Sequence, residues 1–433
     1  MQYCLVIFCH MEKNKKRMLV LGIGQSNFLN QLYGEILKIN DDFSFHIDTC
    51  THLPNDKYNE SNNVFKENLD FEQYYKSISK WRRALIFLRS CKKKFYKETF
   101  LFELNQKKTI RKAVNVCLKY ALKEHVYENY IQTKKFDLLH FHFCSFYNLE
   151  YLHFVEKETK VICSFWGSDL YRMGNVYNDY YVGKALNKAT LITVQSPEMA
   201  LVIKAKYGMH LSDKIKDVRF TISTEIYNAI NLNRSNTQLL AKFKEKYKIK
   251  NYLVALGHNA FKENNHLKMI QVLNNLPDEY KNKISFVLHL GYGGEPRYLK
   301  ELKIAIEKYN SLDFIIIDDF LTPEEISKLR LVTNVMIQVP ESDALSGAMT
   351  EVLYAGNNVI AGAWLPYGIL RRNNIHFEEI DKFEELPLKL KKLLDNLEYN
   401  LKIGMSNMQN IEAFLFPERT SNDWINLFTS ICE

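Results

Sequence analysis

Several features that mark special classes of protein are missing from this 433-residue sequence. The eight cysteines form no CxxC pair, whereas zinc sites need closely spaced ligands. No apolar run approaches the roughly 18 residues that cross a bilayer. Low-complexity tracts and repeats of a fixed period are also missing. These absences exclude a small zinc module, an integral membrane protein and a repeat array.

The start of the chain also lacks the charge order of a signal peptide. Residues 1–10 are mostly apolar, and four cations follow between residues 13 and 17, whereas a signal peptide carries its cations in front. We expect a strand, a frayed tail, or an upstream extension of a chain that starts at Met11 or Met18. Because the cysteines lie far apart and mostly in apolar runs, we expect free thiols in a reducing compartment. These features predict a cytoplasmic protein.

The composition is that of an ordinary globular protein with an excess of cations. Hydrophobic residues make up 46% of the chain and charged residues 25%, the net charge is +8, and the length suits two domains. A basic surface suits phosphorylated substrates, anionic lipid or nucleic acid. Charge is the only feature that favours a nucleic-acid-binding α/β protein, so we expect no nucleic-acid partner.

Short apolar strands alternate with helix-like patterns in both halves of the chain. This alternation predicts an α/β fold with doubly wound parallel sheets. The stretch between the second and third strands reads as wholly helical. The predicted strands cover residues 18–24 (ending in a Gly-containing turn), 43–48, 138–143, 160–164, 191–194, 218–222, 252–256, 284–290, 314–317, 335–339 and 359–361.

These elements divide into two Rossmann-like domains that face each other across a cleft. We place the first at residues 1–225, with a helical insertion at about 60–130, and the second at residues 236–416. A final helix at 417–433 carries Trp424 and Phe428 on one apolar face, and we expect it to pack back on the first domain. Thr322, followed by Pro323 and Glu325, has the pattern of a helix start with a capping box.

Residues 340–359 carry the clearest functional pattern. Seven residues separate Asp343 from Glu351. If residues 345–355 are helical, Asp343 lies in the loop before the helix and Glu351 about two turns along it. Backbone N–H groups near Ser346 and Gly347 are then free to meet phosphate oxygens. The alternative is a helix with a polar start and one buried glutamate that caps another group.

This order of strand, proline, acidic residue and glutamate resembles the donor-binding segment of GT-B glycosyltransferases, especially glycosyltransferase family 4. The resemblance extends back to the stretch around Phe320 and implies a nucleoside-diphosphate-sugar donor. It places Asp343 on the sugar hydroxyls, as a catalytic residue, and Glu351 on the ribose, with Phe320, Ser346 and Gly347 in the donor site. The family usually has glutamate followed by Gly-Phe-Gly where this chain has Asp343 and Ala-Leu-Ser.

Two loops after earlier strands of the second half complete the expected donor site. In many GT-B enzymes a basic pair neutralises the diphosphate, and the resemblance puts Lys262 in the second place and His258 where arginine is usual, beside Asn259. This run and the turn at Gly291 and Tyr292 also resemble the bacterial transferases that add 4-acetamido-4,6-dideoxygalactose to a lipid-linked glycan. A glycine-rich turn lets the backbone approach phosphate; the alternative is an ordinary tight turn.

The first half offers candidates for the acceptor side. The run from Trp166 to Tyr171, Trp-Gly-Ser-Asp-Leu-Tyr, resembles a segment of the same lipid-linked-glycan transferases. We expect Asp169 to act as catalytic base or to orient the acceptor, and Trp166 to pack on a sugar ring. Gly22 and Gly24, in the turn after the first strand, are assigned to the acceptor side. The alternative for Asp169 is a carboxylate that caps the following turn.

Two further patterns each allow two interpretations. Alternation along a strand puts His140 and His142 on one face, either as the start of a metal site or as hydrogen-bonded core histidines. Residues 80–94 are basic and aromatic. They could lie on an anionic membrane, at its inner face beside a lipid-linked acceptor, or form a solvated helix face.

The resemblance implies that a departing diphosphate must be stabilised. GT-B sites meet this need with a helix N-terminus and cations, and the sequence lacks a DxD motif, since Asp318 and Asp319 are adjacent. We therefore expect a metal-independent transferase with no cofactor beyond its donor, acting in bacterial surface polysaccharide synthesis (lipopolysaccharide or capsule). Family 4 implies retention, and the lipid-linked family implies inversion. The alternative is a GT-B relative that is not a transferase, such as a nucleotide-sugar epimerase or a carbohydrate-binding subunit.

Overall fold

A computed structural model describes residues 15–24, 26–48, 64–222 and 224–433, without the side chains of residue 27 and of residues 397–401. The apolar start at residues 1–10, for which a strand, a tail or an extension is expected, lies outside the described residues, as does Ser223. Within the described part no helix is both long and apolar enough to cross a membrane.

Apolar strands build a first, seven-stranded sheet in the order β3-β2-β1-β4-β5-β6-β7. Every neighbouring pair is parallel. The strand order reverses between β1 and β4, which is where open α/β sheets bind ligands. The strands are β1 (Lys16–Leu21), β2 (Phe43–Asp48), β3 (Phe65–Leu69), β4 (Leu138–His142), β5 (Lys160–Ser164), β6 (Leu191–Val194) and β7 (Ile215–Asp217).

The second half builds a six-stranded parallel sheet in the order β10-β9-β8-β11-β12-β13. Its strand order reverses between β8 and β11, so the chain contains the same doubly wound arrangement twice. The strands are β8 (Tyr252–Leu256), β9 (Ile284–His289), β10 (Asp313–Ile317), β11 (Val335–Gln338), β12 (Asn358–Gly362) and β13 (Glu378–Ile380).

Helices cover the faces of both sheets, and nine of the nineteen in the described part of the chain begin at a side chain that caps a free N–H group. Thr322 shows the predicted capping box in full, with its hydroxyl on the Glu325 N–H and the Glu325 carboxylate on the Thr322 N–H. The helices are α1 (Asn27–Ile39), α2 (Phe71–Ser77), α3 (Lys80–Ser90), α4 (Lys94–Asn105), α5 (Ile110–Val126), α6 (Ser168–Tyr171), α7 (Val176–Leu186), α8 (Pro197–Tyr207), α9 (Thr224–Asn233), α10 (Thr237–Lys246), α11 (His266–Leu273), α12 (Asp278–Lys281), α13 (Pro296–Lys308), α14 (Pro323–Val332), α15 (Gly347–Tyr354), α16 (Gly368–Arg372), α17 (Leu386–Asp395), α18 (Leu397–Leu415) and α19 (Pro417–Cys432).

The last helix packs on the first sheet, although it follows the second domain in sequence. Trp424 and Phe428 are fully buried in a core that also contains strand residues Met18, Val20 and Phe45. The Trp424 indole donates to the Arg219 carbonyl oxygen at 2.9 Å. The C-terminal helix therefore ties the end of the chain to the first domain.

Three sequence-based element assignments are wrong in detail. Residues 218–222 form no strand, because β7 ends at Asp217, opposite the last residue of β6, and the Arg219 carbonyl beyond it accepts from Trp424. The insertion is not wholly helical, since it contains β3, a polar edge strand that pairs on one side with β2. Helix α15 starts at Gly347 rather than residue 345, because Ser346 is its N-cap and accepts from the Met349 N–H at 3.2 Å.

Candidate active site

The loops after β8 to β12 meet at one edge of the second sheet, because carboxyl ends of parallel strands share an edge. Helix α15 begins at this edge, with its first-turn N–H groups beyond the reach of intrahelical acceptors. Gly347 is exposed, and a Cβ built there would meet no atom within 4 Å. The start of α15 is therefore open to solvent, and the anion site predicted there stays a prediction.

Glu351 lies on the inner side of α15 in a buried ion pair. Its Oε2 accepts from Arg330 Nε at 2.9 Å, and the two residues are 9% and 4% exposed. Burial raises the pKa of Glu351, and the Arg330 guanidinium acts against that rise. Burial lowers the pKa values of His258 and His289, and the charge of the same guanidinium lowers both further.

Asp343 is half-buried in the loop before α15 and is held by three donors. Tyr367 Oη donates to its Oδ2 at 2.8 Å, Gln338 Nε2 donates to the same oxygen at 3.4 Å, and the Ala344 N–H donates to Oδ1 at 2.7 Å. Gln338 Oε1 also lies 3.3 Å from His258 Nδ1. Burial lowers the pKa of His258, while the Asp343 carboxylate acts to raise it. Asp343 and His258 thus belong to one hydrogen-bonded group.

The two predicted residues Asn259 and Lys262, both in the loop after β8, have different roles. Asn259 is 6% exposed, and its Oδ1 accepts from the Phe261 N–H at 3.0 Å and from Asn264 Nδ2 at 2.6 Å. These bonds shape the loop. Lys262 is exposed and, within the described part of the chain, forms no ion pair. Its ammonium group is free to meet an anion.

Aromatic rings stand exposed on the neighbouring loops. Tyr292 is 43% exposed and Phe320 is 70% exposed. A Cβ at Gly291 would lie 2.3 Å from the Asp319 carbonyl oxygen, so the turn after β9 needs glycine to lie against the loop after β10. These rings can flank a planar group at the edge of the sheet.

Asp169 lies in the first turn of α6, shortly after β5, and is fully buried. Its carboxylate accepts N–H groups of Cys144, Trp166 and Gly167 at 2.6, 2.9 and 2.8 Å. Burial raises its pKa to about 6, and these backbone bonds act against the rise. The carboxylate has no exposed surface through which to reach an acceptor, so the structure favours the capping role over catalysis.

The paired histidines lie in a continuous hydrogen-bond chain. Tyr33 Oη bridges His140 Nδ1 and His142 Nε2, at 2.8 Å each, and His140 Nε2 lies 2.7 Å from Ser164 Oγ. The Trp166 indole lies 3.2 Å from His142 Nδ1 and can only donate, so neutral His142 donates from Nε2 to Tyr33, and Tyr33 donates to His140. Burial lowers the pKa of His142 to about 3, which keeps it neutral. These are satisfied core histidines, and the described residues contain no group of three side chains that could hold a metal.

Trp166 is part of an aromatic cluster at this end of the first sheet. It is partly exposed and makes an edge-to-face contact with Phe28, with ring centroids 5.6 Å apart.

Gly22 (φ +115) and Gly24 (φ +65) form the turn after β1. A Cβ at Gly22 would lie 2.0 Å from the His142 carbonyl oxygen, so the turn after β1 packs directly against the end of β4.

The loop that carries Trp166 touches the loop that carries Asp343. A Cβ at Gly167 would lie 2.6 Å from the Ala344 Cβ. Arg172 donates to Ser342 through Nε at 2.8 Å to the hydroxyl and through Nη2 at 2.5 Å to the carbonyl oxygen. The expected acceptor and donor loops are therefore direct neighbours, with Asp343 at their junction.

Sequence reasoning missed four residues that shape this site: Arg172, Arg330, Gln338 and Tyr367. Arg330 gives one signal, since it is a cation placed directly between two apolar residues, Leu329 and Leu331. Tyr367 gives none, because only the fold brings it across 24 residues to Asp343. Gln338 lies five residues before Asp343, at the end of β11, and nothing in the strand pattern marks its side chain as a partner of that carboxylate.

No protein-family model and no curated protein sequence matches the chain, but solved structures do. The N-terminal domain of trehalose-6-phosphate phosphatase from Candida albicans is 13% identical, with 96% of this chain and 97% of that chain covered and a TM-score of 0.67. HepE from Anabaena, in complex with UDP and glucose, is 12% identical over 96% and 100%, with a TM-score of 0.66. A glycosyltransferase from Rickettsia africae is 14% identical over 97% and 99%, with a TM-score of 0.65. With its two parallel-sheet α/β domains, the chain has the GT-B fold.

Proposed function

We propose that the protein is a glycosyltransferase that takes its sugar from a nucleoside-diphosphate donor. One observation carries the proposal. Three features meet at one edge of the second sheet: the open start of α15, the Arg330–Glu351 pair and Asp343. This edge lies against the loop of the first domain that carries Arg172. HepE, which shares the fold, forms complexes with UDP and with UDP-glucose.

The donor is proposed to lie along this edge, with its ribose, its diphosphate and its base each in contact with a different group of the protein. The ribose hydroxyls donate to Glu351, whose Oε2 already accepts from Arg330. The diphosphate lies at the N–H groups of Gly347 and its neighbours, with exposed Lys262 nearby on the loop after β8. The base lies between the exposed rings of Tyr292 and Phe320.

Asp343 is proposed to orient the sugar during transfer. Its three donors fix the carboxylate and leave lone pairs free to accept from sugar hydroxyls. As the bond to the sugar breaks, charge grows on the diphosphate. The start of α15 and Lys262 stabilise that charge without a metal or a cofactor.

The acceptor is proposed to enter from the first domain, past the loop from Trp166 to Arg172. A glycan or lipid-linked acceptor of a bacterial surface polysaccharide fits the sequence resemblance of this loop. Such an acceptor lies at the cytoplasmic face of the membrane, and peripheral contact with that face is part of the proposal.

Turnover of a donor tests the site through a matched pair of variants. Glu351→Gln keeps the shape of the side chain and an oxygen that can accept from Arg330, but removes the charge that the ribose meets. Glu324→Gln changes a glutamate in the exposed first turn of α14. Release of nucleoside diphosphate from UDP-, GDP- and dTDP-sugars should fall at least tenfold in Glu351→Gln, about the worth of one hydrogen bond to a charged group. Glu324→Gln should match the wild type, and equal turnover in all three proteins would reject the site.

A further inference from the structure

Helix α3 presents large apolar side chains to solvent. Trp81, Leu85 and Leu88 are 84%, 54% and 60% exposed. Their spacing of four and three residues places them on one face of the helix. Burying large apolar groups is the main driving force of folding, so a contiguous row of three on an outer face marks a surface for interaction with another molecule.

The opposite face of the same helix is anchored in the first domain. Ile86 and Ser90 are buried, and Ser90 Oγ donates to Glu124 Oε2 of α5 at 2.9 Å. The orientation of α3 is therefore set by its inner face. Trp81, Leu85 and Leu88, hereafter the α3 stripe, cannot turn inward without breaking this packing.

Cations border the α3 stripe on both sides. Residues 80–94 contain seven lysines and arginines and no acidic residue. Some of them are engaged, since Arg83 donates to backbone oxygens and Lys93 pairs with Glu124. Lys80, Arg82, Arg89 and Lys92 are exposed, and no carboxylate in the described part of the chain forms an ion pair with them.

We propose that the α3 stripe and its bordering cations dock the protein on an anionic lipid bilayer. A helix that lies in a membrane interface carries tryptophan and leucine on the inserted face and cations beside it, which meet the lipid phosphates. The charge pattern selects an anionic surface. This inference rests on the proposed function for the membrane contact itself and names the surface that makes it; the surface lies outside the donor site, so nucleotide binding is tested separately.

Vesicle sedimentation of the full chain tests this surface. The protein is expected to sediment with phosphatidylcholine vesicles that contain phosphatidylglycerol, to stay in solution with phosphatidylcholine alone, and to be released by high salt. The triple variant Trp81→Ser/Leu85→Ser/Leu88→Ser should lose binding at least tenfold. Arg82→Gln/Arg89→Gln should lose about fivefold for each cation removed.

Matched variants on other surfaces serve as controls. Leu201→Ser/Leu232→Ser/Leu388→Ser removes leucines that are 63%, 78% and 72% exposed elsewhere, and Lys300→Gln/Lys303→Gln removes exposed cations of α13. Both should bind like the wild type. Circular dichroism and the unfolding midpoint of every variant show whether the fold is retained.

Clear outcomes would overturn the proposal. The wild type could remain in solution with anionic vesicles at low salt, or a folded triple variant could sediment like the wild type. Sedimentation velocity could instead show that the α3 stripe joins two copies of the chain, with no vesicle binding. Each result would remove the membrane as the partner, and none would bear on nucleotide binding.

Discussion

The Arg330–Glu351 pair supports a prediction that needs no substrate. Arg330→Met removes the guanidinium but keeps an apolar stem of similar reach, which leaves the buried Glu351 carboxylate without its charged partner. Breaking a buried pair from one side costs about 3–5 kcal/mol, because an uncompensated charge stays buried. We expect a loss of this size in the free energy of unfolding, measured by urea denaturation at neutral pH.

The double variant Arg330→Met/Glu351→Met should recover most of that loss, since replacing both ions with apolar groups is often neutral or stabilising. The pH dependence has a definite sign. Burial already raises the pKa of Glu351 above its value in the unfolded chain, and Arg330→Met raises it further. The cost of Arg330→Met should therefore be smaller at mildly acidic pH, where Glu351 takes up a proton, and larger at neutral pH. A single variant that loses less than about 1 kcal/mol, or a double variant no more stable than the single, would refute the buried pair.

Other predictions concern the same loops. Tyr367→Phe keeps the buried ring but removes the 2.8 Å hydrogen bond to Asp343. Donor turnover should therefore fall about tenfold. Unchanged turnover would show that Tyr367 does not position the Asp343 carboxylate. Gly22→Ala should destabilise the protein by several kcal/mol, because its Cβ would lie 2.0 Å from a carbonyl oxygen at φ +115, whereas Gly347→Ala meets open space and should leave the unfolding midpoint nearly unchanged. Asp169→Ala leaves three backbone N–H groups without their acceptor and should lower stability by at least about 3 kcal/mol; a stable variant that loses only turnover would restore the catalytic interpretation.

Local patterns in the sequence were sufficient for much of the fold. The capping box at Thr322 is set by residues three apart, so it could be predicted directly. The alternation of apolar strands and helices likewise indicated both parallel sheets. The end of β7 could not be predicted, because it depends on long-range pairing: Asp217 lies opposite Val194, where β6 ends, and beyond it the Arg219 carbonyl accepts from Trp424, more than 200 residues away.

The site was predictable only in part, for the same reason. The spacing of Asp343 and Glu351 is local, and the structure places them as expected, in the loop before α15 and within α15. Their partners Tyr367 and Arg330 lie on other elements, so no pattern in the sequence joins them. Asp169 shows the limit most clearly. A catalytic base and a carboxylate that caps backbone N–H groups would have the same sequence pattern, and only the full burial of the carboxylate in the structure favours the capping role.

Equilibrium binding of nucleoside diphosphates tests the central claim most directly. Isothermal titration of the full chain with UDP, GDP and dTDP should show at least one nucleotide bound below millimolar concentration. The same nucleotide should bind Glu351→Gln at least about tenfold more weakly and Glu324→Gln like the wild type. If none of the three nucleotides binds at millimolar concentration, or if Glu351→Gln binds as tightly as the wild type, the edge of the second sheet is not a nucleotide-sugar site.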